Sequence, residues 1–338
     1  MKYSIALTIL TLTIFASSIW SKGPVNPVLR FGGDHLIRPG KIIASEGVVF
    51  AIEPKMHRIA IFSGAGEFKM NLGRDGEGPG EFKMLRSFNI FSNLIYCYDP
   101  MGRRIHLFSQ KDKNYLKFIS ITNTLSGHPP AAMAIHPNGT IIMFNNGLTK
   151  KDTLIGVYTP GGKLIKRFFN AYPAYQNRNE FLKDLKASGH LNVDFEKNVG
   201  FIDISEGKIY FANIIENKVI EMDMNGKILS RFSIPLPSHE KTLKYIIFSK
   251  GPNGTWYDIE NQLTCDLRAR NNSIYILCRH DNISYIFRLE DGKFREVCRM
   301  KEHLTSFDIM NNRIYCLEAE AEDEDDNREI LVYNLPEN

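Results

Sequence analysis

The sequence predicts an all-β fold, a six-bladed β-propeller with four-stranded blades, and three observations predict it. A short phrase (Gly or Asn, a variable residue, a β-branched or aliphatic residue, then usually an aromatic) occurs six times. It begins at Gly47, Asn93, Gly139, Gly207, Asn272 and Asn312, with spacings of 46, 46, 68, 65 and 40 residues, and a period near 40 to 46 carrying strand-like segments is one propeller blade per repeat. The segments between phrases read as short strands joined by tight turns. Finally, the last repeat stops one strand short, and a spare strand stands at the other end of the chain.

The strands of each repeat are lettered a to d from the ring axis outward. In the fourth repeat, Gly200 to Ser205 reads as a, Lys208 to Asn213 as b, Lys218 to Asp223 as c and Lys227 to Ser233 as d. The c-to-d turn Met224-Asn225-Gly226 recurs as Pro160-Gly161-Gly162 and Glu290-Asp291-Gly292, where Gly or Asn supplies the positive φ of a tight hairpin. Strand c repeats Ile59, Ile105, Ile155, Val219, Ile286 and Ile330, and three places on Phe62, Phe108, Tyr158, Met222, Leu289 and Tyr333. Both faces of a blade pack on neighbouring blades, so these strands pair aliphatics with aromatics instead of alternating apolar with polar. The sixth repeat ends after strand c. Its missing strand is expected from Val28 to Phe31, just before strand a of blade 1, Lys41 to Ser45, which closes the ring and removes its exposed edges.

The N-terminus has the layout of a secretory signal peptide over residues 1–21: Lys2, an apolar run from Ile5 to Ala16, then Ser17, Ser18 and Ser21. Cleavage after Ser18 or Ser21 fits. An uncleaved N-terminal anchor is the alternative, because the run through Trp20 approaches the length of a membrane span. No second apolar segment of that length follows, so the mature chain, a propeller over 27–338, is expected to be soluble and extracytoplasmic, periplasmic or secreted. The formal net charge is +4 with 24% charged residues, and the basic residues are scattered, which argues against nucleic acid as a partner.

Five cysteines, Cys97, Cys265, Cys278, Cys298 and Cys316, make an odd number, so at least one thiol is free or pairs between chains. Cys97 and Cys316 share a repeat column with Ala51, Met143, Phe211 and Ile276 and read as small core residues. If Asn271-Asn272 forms a two-residue type I′ turn, Cys265 and Cys278 face each other across the hairpin, which places a disulfide within reach.

Between blades 1 and 2 runs Leu72-Gly73-Arg74-Asp75-Gly76-Glu77-Gly78-Pro79-Gly80-Glu81-Phe82. It lacks the Lys-Ser/Thr ending of a phosphate loop and opens no helix, so it reads as a tight interblade connection from which Arg74, Glu77 and Glu81 reach outward. With the blade phrase and the turn before strand d, this segment resembles the secreted bacterial six-bladed β-propellers with NHL-like repeats, over nearly all of the mature chain. That resemblance implies architecture more than activity, since propellers host hydrolases, lyases and binding modules alike.

Blade topology brings the d-to-a and b-to-c connections out on one face, where the irregular features fall. The insertion 171–200 carries a short amphipathic helix, Asn179 to Lys186, with Asn179 as cap. The insertion 237–262 carries Trp256-Tyr257, which reads either as a stacking surface with polar tips suited to sugar rings or peptide side chains, or as an anchor that packs its own loop against the ring. The acidic run from Glu318 to Asp326 lacks the ligand alternation of a Ca²⁺ loop and reads as a solvated hairpin tip. No His, Cys or Gly-x-Ser-x-Gly arrangement marks a zinc or nucleophile site.

The sharpest constellation is a polar column in the innermost strands. Four residues before the repeat Gly or Asn stand Ile43, Asn89, Asp203 and Asp308, with Asp266 or Arg268 in blade 5 depending on register. Carboxylates rarely stay buried without a partner. Either each caps its own blade through backbone hydrogen bonds, or they converge on the axis as ligands of water, a cation or a polar molecule. The main functional expectation is a non-enzymatic binding module for a carbohydrate, peptide or protein, using the loop face and channel mouth: Asn89, Asp203, Asp308, Asp266, Arg268, Arg74, Glu81, Trp256 and Tyr257. The alternatives are an assembly scaffold or a Ca²⁺-dependent hydrolase of the gluconolactonase type, with Asn89, Asp203 and Asp308 as metal ligands.

Overall fold

The computed structural model describes residues 23–336 apart from 38, 123–131, 148, 150, 175, 178, 181–182, 184–196, 237–245, 252–253, 260–262 and 320–326, with the backbone alone described in 246–251 and 254–259. The expected signal segment, the acidic run beyond Ala319 and most of the helical insertion lie outside these residues. Within that insertion Asn179, Glu180 and Lys183 are helical. The cap is Asn177 and not Asn179, since the Asn177 Oδ1 accepts the Glu180 N–H at 3.0 Å.

Six four-stranded antiparallel sheets form the six blades. Blade 1 comprises β2 (Lys41–Ser45), β3 (Val48–Glu53), β4 (Arg58–Ser63) and β5 (Phe68–Leu72); blade 2 comprises β6 (Ser87–Phe91), β7 (Leu94–Asp99), β8 (Arg104–Ser109) and β9 (Tyr115–Ser120). Blade 3 is β10 (Ala132–Ile135), β11 (Ile141–Phe144), β12 (Thr153–Tyr158) and β13 (Leu164–Asn170); blade 4 is β14 (Gly200–Ser205), β15 (Lys208–Asn213), β16 (Lys218–Met222) and β17 (Ile228–Ser233). A two-stranded hairpin, β18 (Ile246–Gly251) with β19 (Gly254–Ile259), stands in the connection to blade 5, which holds β20 (Thr264–Arg270), β21 (Ser273–His280), β22 (Ile283–Glu290) and β23 (Lys293–Met300). Blade 6 has β24 (Leu304–Met310), β25 (Arg313–Glu318) and β26 (Ile330–Asn334), and its fourth strand is β1 (Leu29–Phe31) from the other end of the chain. The closing register is Leu29↔Val332, Arg30↔Leu331 and Phe31↔Ile330, as the missing strand required.

The repeat phrase begins in the a-to-b turn. Ser92-Asn93, Asn271-Asn272 and Asn311-Asn312 each carry positive φ at both central residues, the type I′ geometry whose twist matches the flanking strands. The strand c column is fully buried: Ile59, Ile105, Ile155, Val219, Ile286 and Ile330 are all 0% exposed. Apolar clusters fill the seams between adjacent blades. One joins Ile43, Phe50 and Ile61 of blade 1 to Phe88, Ile95 and Phe108 of blade 2; another closes the ring by packing Ile42, Val49 and Phe62 on Tyr315, Ile330 and Val332. The Gly-rich connection folds over blade 2. Gly73 has φ +81°, and a Cβ there would collide with the ring of buried Phe82, which packs edge-on against His106 at 4.9 Å.

The hairpin of blade 5 corrects one expectation. Arg268↔Tyr275 and Asp266↔Leu277 keep the anticipated register, but the pairing then shifts and Cys278 lies opposite Thr264. Cys265 is the extra residue of a β-bulge, and the five cysteines are free and buried. Cys97 and Cys316 are 0% exposed core residues as expected.

Two predictions follow from packing. Phe31 lies against Phe62 with ring centroids 5.3 Å apart, so Phe31→Ala should loosen the closing strand and lower the unfolding free energy by about 2 kcal/mol, read by chemical denaturation. His106 is fully buried and neither ring nitrogen has a hydrogen-bond partner. Burial first, and Arg104 second, push its pKa from 6.5 down to about 4, partly offset by Asp99. The folded ring therefore holds it neutral. The stability tied to that neutrality is complete above about pH 6.5 and is lost as pH falls towards 4, on the order of 3 kcal/mol. His106→Phe should flatten this part of the acid dependence relative to wild type in urea melts at pH 7 and pH 4.

Candidate functional site

An innermost strand has one neighbour in its own sheet, and its free edge faces the axis with N–H groups that need acceptors. Here the acceptors are side chains on the innermost strands themselves. In β14 the Asp203 Oδ1 accepts its own Ile204 N–H at 2.9 Å, while Oδ2 accepts the Ala269 N–H of β20 at 2.9 Å. Asp266 repeats the move, accepting from Leu267 N–H at 2.8 Å and from Phe307 N–H of β24 at 3.3 Å. Asp308 accepts from Ile309 N–H at 2.8 Å and from Ala44 N–H of β2 at 2.9 Å. Each carboxylate thus ties its blade to the next one round the ring, across the seams 4–5, 5–6 and 6–1. Asn89 does the same with reversed polarity, donating from Nδ2 to the Met133 carbonyl of β10 at 3.1 Å.

Two arginines balance this buried charge. Arg270 forks onto Asp308, Nε to Oδ1 at 2.7 Å and Nη2 to Oδ2 at 2.5 Å, with Asp203 3.9 Å away. Burial works against the Arg270 charge, but Asp308, with Asp203 and Asp266 behind it, overcomes that and raises its pKa. Arg268 binds Asp266 at 2.7 Å and donates to the Ile42 carbonyl at 3.0 Å. Ser306 completes the cluster, donating to Asp266 Oδ2 at 2.6 Å and accepting the Ile42 N–H at 3.2 Å.

Above this network lies a pocket of about 310 Å³, to which all six blades contribute. Its walls come from the first residues of the innermost strands, such as Lys41, Ser87, Ala132, Phe201 and Ser306, and from the ends of the b strands, such as Ile52 and Ile214. That is the end of the channel from which the d-to-a and b-to-c connections leave. Asp266 and Arg268 form part of the lining, and Arg86 stands at the exposed rim. The Lys41 pKa is lowered from 10.5 to about 8, by burial first and Arg268 second, with Asp266 and Asp203 opposing.

The structure sorts the sequence-predicted residues. Asp203, Asp266, Arg268 and Asp308 come together around the axis, with Asn89 clamping the seam between blades 2 and 3. Asp203 and Asp308 share Arg270 instead of converging on a common point, and among the described residues no group of three or more His, Cys, Asp or Glu side chains is placed to hold a metal ion. Arg74 and Glu81 turn to each other, with Nε to Oε1 at 2.8 Å, while Gly78 N–H donates to Glu81 Oε2 at 2.8 Å. The Gly78 N–H and then Arg74 hold the Glu81 carboxyl below its usual range. This pair braces the Gly-rich connection and does not line the axial pocket. Trp256 and Tyr257 lie on β19, paired with Ser249 and Phe248 of β18; their side chains are outside the description. Lys41, Arg86, Arg270 and Ser306 were not singled out from sequence. A signal existed: Lys41, Ser87, Asp266 and Ser306 all stand six places before the repeat Gly or Asn, two residues from the recognised column and so on the same strand face.

A family profile described as a 6-bladed beta-propeller, DUF5128, matches residues 34–128. None of the curated protein sequences matches the chain. Similar solved structures include a member of the DUF4221 family from Bacteroides vulgatus ATCC 8482 (10% identity, TM-score 0.58, covering 92% of this chain and 98% of that one). Another is a protein of Bacteroides fragilis NCTC 9343 described as exported (12% identity, TM-score 0.54, 87% and 90% covered). A streptogramin B lyase structure is also similar (13% identity, TM-score 0.50, 92% and 97% covered). At these identities the likeness shows the fold alone.

The clamp network generates a prediction of its own. Asp308→Asn removes the counter-charge in direct contact with Arg270, leaving it Asp203 at 3.9 Å, and weakens the Ala44 bond. It should cost about 3 kcal/mol of folding stability, visible as a lowered thermal midpoint in metal-free buffer and unchanged by added Ca²⁺.

Proposed function

We propose that this chain is an extracytoplasmic ligand-binding β-propeller that takes its ligand into the axial pocket at the mouth of the channel. The observation that carries the reading is the division of the axial polar groups. Below the pocket Asp266 and Asp308 are each held by backbone N–H groups and an arginine, and Asp203 by two backbone N–H groups, so they serve as a floor. At the mouth, side chains from six separate strands surround an open volume of about 310 Å³, at the lower end of the size range of small-molecule sites. Asp266 and Asp308 are filled by N–H and O–H donors, and Asp203 turns one oxygen to its own strand and the other to the next blade, an arrangement that supports binding over the gluconolactonase-type alternative. The N-terminal apolar run supports export, and no helix among the described residues is long and apolar enough to cross a membrane.

A filled pocket tests the reading. Ala132→Trp enlarges a residue that lines the mouth, and a melting curve of the unliganded variant checks that the ring stays folded. A thermal-shift screen of metabolites, sugars and short peptides should return compounds that raise the wild-type midpoint by 2 °C or more, on the order expected for a ligand well above its Kd, and that have no effect on Ala132→Trp. Compounds that stabilise both proteins equally would place binding elsewhere. N-terminal sequencing of the exported protein should find a start at Ile19 or Lys22.

A further inference from the structure

Among the described residues the charges at the mouth do not balance. Around the axis stand four cations, Lys41, Arg86, Arg268 and Arg270, against three carboxylates, Asp203, Asp266 and Asp308. Arg270 is spent on Asp308, and Arg268 on Asp266. Elsewhere in blade 1 a cation near a seam has its own carboxylate, as Arg58 has buried Glu53 at 2.6 Å. At the mouth it does not: among the described residues neither the Lys41 ammonium nor the Arg86 guanidinium has a hydrogen-bond or ion-pair partner. Arg268 is only 2% exposed, and its Nε has no acceptor either. A buried N–H donor without an acceptor is costly and uncommon. Cations in excess in a cleft focus a positive potential into it.

The rest of the pocket sets the size and character of what would answer that potential. Ile52, Pro54, Phe201 and Ile214 give it an apolar flank, and its volume of about 310 Å³ exceeds what a bare inorganic ion fills. We infer that the axial pocket binds a small organic anion, its carboxylate or phosphate head held between Lys41 and Arg86 and its body against the apolar flank. This inference rests on the pocket reading above and specifies the ligand class. Arginine is suited to such heads because its planar N–H groups match two oxygens at once. The groups around the Lys41 ammonium, namely Arg268 and Arg270 on one side of the balance and Asp266 and Asp203 on the other, together with its burial, leave it charged at neutral pH and losing its proton near pH 8. A bound anion would raise that value and take up a proton in alkaline buffer.

The test uses the mature protein and matched probes, by isothermal titration calorimetry at low salt: benzoate against benzamide, and glucuronate and glucose 6-phosphate against glucose. At least one anion should bind with a Kd in the millimolar range or tighter and at least about tenfold more tightly than its neutral counterpart, one strong charge-assisted contact's worth. Lys41→Gln and Arg86→Gln should each weaken it at least fivefold while the unliganded melting curves stay like wild type, and wild-type affinity should fall above pH 8 whereas that of Lys41→Gln does not. Carboxylate and phosphate probes separate the two kinds of head. If the neutral probes bind as well as the anions, and lose affinity in Ala132→Trp, the pocket reading stands and the anion inference falls. Anion binding undiminished in the Lys41→Gln/Arg86→Gln double variant also overturns it, and so does the absence of binding by every probe.

Discussion

The free edge of the innermost strands is the constraint on which the rest of this ring depends. Six strands face the axis, each with N–H groups that no sheet partner can reach, and a propeller offers no seventh element to cover them. This chain answers from within the same strands: one carboxylate oxygen takes the N–H of the following residue and the other crosses to the next blade. The answer creates a second demand, because carboxylates as buried as Asp266 and Asp308, 2% and 0% exposed, need opposite charge close by. Arg268 and Arg270 supply it, two places apart on one face of β20. The polar axis is thus a consequence of strand-edge chemistry before it is anything else.

That origin explains how much of the site was legible. The period of the repeat phrase, the buried c-strand column and the missing fourth strand of blade 6 are local or arithmetic properties, so they carry over directly to structure. The column Asn89, Asp203 and Asp308 was visible for the same reason. What the polar groups bond to was not, since their partners are backbone atoms some 40 to 260 places away in the chain, such as Met133 for Asn89 and Ala44 for Asp308. In blade 5 the choice between Asp266 and Arg268 turned on register, and the answer is that both belong: Arg268 occupies the column, opposite Tyr275, and Asp266 lies one step nearer the mouth. The bulge at Cys265 also separated two cysteines that simple hairpin counting had placed face to face. Such bulges have no signature in residue type alone.

A second repeat column went unnoticed in the sequence. Glu53, Asp99, Asn145 and Asn213 each stand six places after the repeat Gly or Asn, at the end of strand b, and all are buried. Glu53 accepts the Ile37 N–H, Asp99 those of Lys83 and Gly102, and Asn213 that of Glu216. These residues brace the connections on the same face as the pocket. Connections held from beneath by buried hydrogen bonds keep a fixed outline, and a wall ordered in advance spends little entropy on ordering when something enters.

The strand borrowed by blade 6 also fixes an order of events in time. β1 is among the first segments to leave the ribosome and among the last to find its place, because its partner, Ile330 to Val332, is about 300 residues later in the chain. Blades 1 to 5 are each made of consecutive strands and are free to form as they appear. The seam between first and last blade has to wait, and with it the Asp308 clamp on Ala44 and the complete wall of the axial pocket. Contacts of such long sequence separation are slow to form. A partly made chain would therefore carry a nearly complete stack of blades with an open seam, two bare sheet edges and an unfinished axial pocket, which the last seam completes in a single late step.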